Sequence, residues 1–372
     1  MPTEEEENLY EDHFLYEERK SNKQDRKTAK AKDRSKYKKT DQKMLEKKQP
    51  PKELKNLLRG RVLSIMSQGM LVESGDKLFT CALKGALKKD QGLQKNLVTV
   101  GDFVLFEEMN HQEGLIAYVE ERYSVLSRAD NLLRRKEQLI AANIDQVLIT
   151  ISLVHPPLKT FIVDRYIIAA EKGGMKPIIV VNKIDLLEDA SFSEELREEE
   201  KALYEEFVQA YKEANIQVIE VSAEKNFNID ALKQLMKDKA SVFSGQSGVG
   251  KSSLINAVTS SNLKVGEVVE KTRKGSHTTT TAMLLPLDFG GWCIDTPGIK
   301  SFGLWNLEKS EVEAYFTEIH DTGARCKFPD CSHTHEKECA VIKAIEEGTI
   351  SPLRYTSYLY LLESLGQVHR PR

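Results

Sequence analysis

The sequence predicts an α/β domain of the phosphate-loop kind, with an all-β barrel before it and a helical domain after it. Three observations carry this. The run Gly245-Gln-Ser-Gly-Val-Gly-Lys251-Ser252 lies between an apolar strand and a helix, five short β-rich runs fall between residues 61 and 119, and three cysteines and two histidines crowd together after residue 325. With 372 residues, 40% hydrophobic and 30% charged, the chain suits two or three soluble domains. No apolar run approaches the roughly 20 residues that span a bilayer. The opening Met1-Pro-Thr-Glu-Glu-Glu-Glu reverses the basic-then-apolar order of a signal peptide. A cytoplasmic chain with no membrane partner is expected.

The net charge of −3 hides segregation. Residues 1–18 hold eight acids and no Lys or Arg, while residues 19–55 hold sixteen Lys/Arg against five acids. Few large apolar side chains there can offset the loss of chain entropy, so residues 1–55 are expected to form a disordered charged tail. Its basic half suits a polyanion, with a solvated linker as the alternative.

After Pro50-Pro51, the runs Arg61–Ile65, Met70–Glu73, Lys77–Leu83, Asp102–Phe106 and Leu115–Val119 are separated by turns such as Ser74-Gly-Asp and Val100-Gly-Asp. They predict a small barrel over residues 56–128, of the OB type or, on strand count alone, SH3-like. From Asn143 apolar strands alternate with amphipathic helices. Strands are expected at Gln146–Ile151, Pro177–Val181, Gln217–Val221 and Ser241–Ser244, with helices at Phe161–Lys172, Ser193–Ala214 and from Lys251. Two further apolar runs, Ala282–Leu287 and Trp292–Ile294, complete a largely parallel sheet within residues 129–307. Residues 308–372 read as helical apart from the Cys/His stretch.

The phosphate loop supplies the chemistry. Gly245, Gln246, Ser247, Gly248, Val249 and Gly250 can turn backbone N–H groups onto phosphate, Lys251 can reach the β- and γ-phosphates, and the Ser252 hydroxyl, next to Ser253, can ligate Mg²⁺. At the carboxyl end of the strand Pro177–Val181 stands Asn182-Lys183-Ile184-Asp185, the pattern of a guanine reader. The Asp185 carboxylate can accept from two donors that adenine lacks, and the Lys183 stem can lie over the base. Ser222-Ala223 ends another strand and resembles the loop whose N–H meets the guanine O6. Asp295-Thr-Pro-Gly298 resembles the loop that holds Mg²⁺ through water and senses the γ-phosphate. Upstream, Gly275-Ser-His-Thr-Thr-Thr-Thr281 offers a first-switch hydroxyl, from Thr280 or Thr279.

An ordinary GTPase presents the phosphate loop first and the guanine-reading motifs last. Here Asn182 and Ser222 precede Gly245, so the domain is circularly permuted and the chain leaves it just after the second switch. Beyond that point the chain carries Cys326-x4-Cys331-x-His333-x5-Cys339. Three thiolates and an imidazole form a closed tetrahedral set for structural Zn²⁺, with His335 as a competing ligand. The isolated Cys81 and Cys293 stand in apolar contexts.

The permuted order, the preceding barrel and the segment Cys326-Lys-Phe-Pro-Asp-Cys331-Ser-His333 resemble the RsgA (YjeQ) family of GTPases dependent on the small ribosomal subunit, over about residues 56–370. The helix with Arg354 and Tyr358 matches as well. The resemblance implies one structural Zn²⁺, Mg²⁺ with GTP, and partners in the 30S subunit and its 16S rRNA. It also implies GTP hydrolysis, slow alone and faster on the subunit, in late 30S maturation by a monomeric protein. Catalytic roles fall to His277, Thr280, Asp295 and Gly298; His277 substitutes for the water-positioning Gln that Ile299 replaces, or only packs or touches rRNA. Three departures stand out: Ser276 in place of an Arg, the additional Thr281, and the long tail. A GTP-gated RNA-binding platform with incidental turnover is the alternative.

Overall fold

The computed structural model describes residues 57–84, 97–110, 112–129, 137–259, 282–295 and 307–367. The expected tail lies outside the described residues, as do Ser276, His277, Thr279, Thr280, Thr281, Gly298 and Ile299.

Five strands, β1 (Leu58–Met66), β2 (Gly69–Ser74), β3 (Lys77–Leu83), β4 (Phe103–Asn110) and β5 (Glu113–Val119), pair in the order β1-β2-β3-β5-β4. β4 returns to β1 and closes the barrel. β3 and β5 run parallel and the other neighbours antiparallel, which is the connectivity of an OB-type barrel and not of the SH3-like alternative. Alternating side chains fill the interior: the rings of Phe79 and Phe106 are 5.0 Å apart, packed with Val62, Val72, Cys81, Val104 and Ile116.

Next comes an antiparallel ribbon of β6 (Val125–Ala129) and β7 (Glu137–Ala142), which the sequence did not predict. Its support is tertiary: Ala142 N–H donates to Val100 O and Val125 N–H to Gly173 O. The expected boundary at residues 128–129 cuts through β6.

The α/β region contains β8 (Gln146–Ile151), α1 (Thr160–Lys172), β9 (Lys176–Val181), α2 (Glu194–Glu213), β10 (Gln217–Glu220), α3 (Ile229–Met236), β11 (Ala240–Ser244), α4 (Lys251–Thr259), β12 (Met283–Pro286) and β13 (Trp292–Asp295). Its strands lie in the order β10-β9-β8-β11-β13-β12. All neighbours are parallel except β12 with β13. β8 and β11 are buried at every residue, as strands at the centre of a sheet covered on both faces are. From β8 the chain winds outward to β10, returns to β11 and continues on the other side. This creates a switch point between β8 and β11, where such sheets bind ligands. The long helix α2 begins where the sequence caps it: Ser193 Oγ accepts from Leu196 N–H at 3.2 Å. One rung, Ser64 opposite Met283, joins β1 to β12 and makes barrel and α/β sheet one eleven-stranded sheet.

The residues from Asn306 onward form a separate compact unit. Among its described residues there are only helices and turns, including α5 (Lys309–Val312), α6 (Thr317–Gly323), α7 (Ala340–Glu346) and α8 (Pro352–Gln367). Arg354 on α8 pairs with Glu318 at 2.6 Å and lies 4.4 Å over the Phe316 ring. No described helix is long and apolar enough to cross a membrane.

Candidate nucleotide site and Cys/His centre

The phosphate loop leaves β11 beside the end of β8. Gly245, Gly248 and Gly250 have φ of 143°, 83° and 90°, where side chains are strained. At two of them space is also closed, because a Cβ on Gly245 would strike Thr150 O and one on Gly250 the Asn182 amide. This backbone lets the loop turn N–H groups inward ahead of α4. Lys251 Nζ donates to Gly245 O at 2.7 Å and to Gln246 O at 2.5 Å. Val249 is buried beneath the loop, while Ser247, Ser252 and Ser253 are exposed at its mouth.

Asn182 ends β9 and is 2% exposed. Its Nδ2 donates to Val249 O at 2.8 Å and its Oδ1 accepts from Ala223 N–H at 3.1 Å. One amide thus ties the phosphate loop to the Ser222-Ala223 loop. This role was not legible in the motif, which says which residues gather and not which of them brace the others. Lys183 adopts a left-handed conformation (φ 62°) and donates from Nζ to His155 O at 2.8 Å. His155 belongs to the β8–α1 loop, which sequence reasoning did not single out; its position at the end of a central strand was the available signal. The fully buried Ser222 accepts at Oγ from Lys225 N–H and pairs its backbone with Phe227.

Asp185 opens a 3-10 turn, Ile184–Glu188. Its Oδ1 is buried and has no hydrogen-bond partner. A buried acceptor without a donor is costly, so this oxygen suits a ligand that brings a donor. Asp295 ends β13, one residue beyond the rung Val242–Ile294 that joins β13 to β11. The Asp-x-x-Gly motif thus starts from the strand beside the phosphate loop.

In the C-terminal unit, Cys326, Cys331, His333 and Cys339 bring their ligand atoms within 4.8 Å of one another. Cys326 Sγ is 3.8 Å from Cys339 Sγ, and each lies 3.5 Å from His333 Nδ1. Tetrahedral zinc, with bonds of about 2.3 Å to sulfur and about 2.0 Å to nitrogen, requires separations of about 3.8 Å and about 3.5 Å. The cluster therefore could hold a metal such as zinc. His333 is fixed from outside: Tyr355 OH donates to its carbonyl at 2.7 Å, and its Nε2 faces Glu313 at 3.7 Å. His335, the competing ligand, is exposed and bonds Thr334 Oγ1. Glu336 braces the turn: burial works against its charge, but bonds from the Ser332 hydroxyl and nearby amides hold its carboxyl down to about 2. Cys81 and Cys293 are buried thiols.

A protein-family profile described as RsgA GTPase matches residues 119–305. The small ribosomal subunit biogenesis GTPase RsgA of Chlorobaculum tepidum is 40% identical over 325 residues, covering 84% of this chain and all of the relative. The chain belongs to the RsgA GTPase family. Among solved structures it is similar to YjeQ from Thermotoga maritima, with a TM-score of 0.67 and 32% identity over 85% of this chain and all of that one. It is also similar to YloQ, described as a circularly permuted GTPase, with a TM-score of 0.64 and 26% identity over 87% of this chain and all of that one. As an RsgA GTPase the chain hydrolyses GTP to GDP and phosphate. Its strand order, with the guanine-reader strands preceding the phosphate-loop strand, is the permutation read from the motif order.

Proposed function

We propose that this RsgA GTPase binds the small ribosomal subunit in the cytoplasm, contacts its rRNA and assists its late maturation, hydrolysing GTP slowly alone and faster on the subunit. The observation that carries the reading is the end-to-end similarity to a relative named for small-subunit biogenesis. The barrel of residues 56–128, the GTPase domain of 129–307 and the metal domain of 308–372 are the proposed working parts.

In this reading Asp185 accepts from the guanine edge, Lys183 covers the base, and Ala223 N–H meets O6 while Asn182 and Ser222 hold both loops. The N–H groups of residues 245–250 and the Lys251 ammonium take the phosphates, and Ser252 with Thr280, helped by Asp295 through water, holds Mg²⁺, which neutralises phosphate charge. Gly298 N–H senses the γ-phosphate. His277 orients the attacking water when the protein is on the subunit. Cys326, Cys331, His333 and Cys339 hold one structural Zn²⁺.

Single-turnover hydrolysis with and without 30S subunits tests this. The wild type is expected to accelerate on subunits, and His277→Ala to lose about 10²-fold of the stimulated rate while retaining GTP affinity. Subunits that bind without raising turnover would favour the RNA-binding platform, and undiminished stimulation in the variant would move catalysis away from His277.

A further inference from the structure

Arg61 lies on β1, inside the joint between barrel and α/β sheet, and is 5% exposed. Its guanidinium carbon is 4.9 Å from the centre of the Phe103 ring on β4 and 4.4 Å from that of Trp292 on β13. Nη2 donates to Asn143 O at 2.6 Å, while Nε is buried without a partner. Tyr123, Asp145 and Glu73 supply the surrounding polar groups, and burial lowers its pKa against their pull. Trp292 is held in turn by Nε1 donating to Glu73 Oε2 on β2 at 3.0 Å.

An apolar side chain would fill this joint without the cost of burying a cation. What a guanidinium adds is orientation, since its flat face must cover a ring while its N–H groups point at fixed acceptors. The ring it covers begins the strand that ends at Asp295, about 10 Å away. The far end of the same hairpin is tied as well. Asp295 stands opposite Met283, and Met283 opposite Ser64 on β1. Barrel strand β1 therefore grips both ends of β13, at Trp292 through Arg61 and at Asp295 through Met283.

Resting on the nucleotide reading above, we propose that Arg61 is a positioning residue for Asp295 at the end of β13, acting through Trp292, so that the barrel is part of the apparatus that distinguishes GTP from GDP. A purely structural role would lower affinity for both nucleotides alike, whereas positioning of Asp295 affects the triphosphate with Mg²⁺.

The test uses the full chain without ribosomal material, so its outcome is separate from the question of the ribosomal partner. Arg61→Met is expected to weaken Mg²⁺-dependent GTPγS binding about fivefold or more while GDP affinity stays within about twofold. The sequence has two tryptophans. In a Trp305→Phe background Trp292 emission is expected to differ between the GDP and GTPγS forms, and the difference to vanish in Arg61→Met. If Arg61→Met does not fold, Trp292→Phe removes the indole bond to Glu73 but keeps a ring under Arg61, and the same selective loss is expected at smaller amplitude. Equal weakening of both nucleotides, or an unchanged ratio with Trp292 emission blind to the nucleotide, would overturn the proposal.

Discussion

The nucleotide site gathers residues from Thr150 to Ser252 onto the ends of four parallel strands, whereas the Cys/His centre takes all its ligands from the stretch between Cys326 and Cys339. In the first, the sheet does the positioning: Asn182, Lys183 and Lys251 already bond backbone carbonyls of neighbouring loops. In the second, the ligand atoms of three cysteines and His333 lie within 4.8 Å of one another, with Cys326 Sγ, Cys339 Sγ and His333 Nδ1 at 3.5–3.8 Å, a crowding that a shared cation would stabilise. A site built by topology should survive loss of its ligand, and a site built by short-range chain geometry should not.

The largest break expected is Cys331→Ala. Metal binding in such centres contributes on the order of 10 kcal/mol to folding, so the variant should lose its metal and its hydrogen-exchange protection over residues 307–367, with GDP affinity unchanged. Metal analysis showing no bound metal in a wild-type chain with these helices still protected would contradict the contrast. Next is Glu318→Ala. It removes the carboxylate that pairs with Arg354, 3% exposed, and should cost the C-terminal unit about 3 kcal/mol, read from its denaturation midpoint. Asn182→Ala cuts two bracing bonds and should cost about 2 kcal/mol, or about 30-fold in the rate of GDP release by stopped flow, without affecting the C-terminal unit. The smallest effect belongs to Glu120→Gln, whose partner Arg59 is 58% exposed. A change in stability under about 0.5 kcal/mol is expected, serving as a control for both regions.

The five barrel strands and the α/β alternation were legible because each alternates or buries residues with its own local period. Their order was not: the parallel pairing of β3 with β5, which distinguishes the OB-type barrel, joins segments more than thirty residues apart. β6 and β7 escaped notice because Val125-Leu-Ser-Arg-Ala and Glu137-Gln-Leu-Ile-Ala-Ala lack a sustained β-rich pattern, and backbone bonds to Val100 and Gly173 hold them in place. The phosphate loop and the Asn182-Lys183-Ile184-Asp185 motif were readable because such motifs keep fixed residue types at fixed spacing. The bracing by Asn182, the His155 carbonyl under Lys183 and the seat of Arg61 between two rings depend on which strand ends become neighbours. That His333 and not His335 joins the cysteine cluster follows likewise from packing, with His333 buried under Tyr355 and His335 exposed.

We propose that Asp185, whose Oδ1 is buried without a hydrogen-bond partner, selects guanine in a site preformed by the permuted sheet. Competition binding of GDP and XDP to the wild type and to Asp185→Asn tests it most directly. An amide reverses one donor–acceptor pair, and a polar site left unpaired discriminates by several kcal/mol. The wild type should therefore prefer GDP and the variant XDP, each by about 10²-fold or more. GDP preference undiminished in Asp185→Asn would contradict the account.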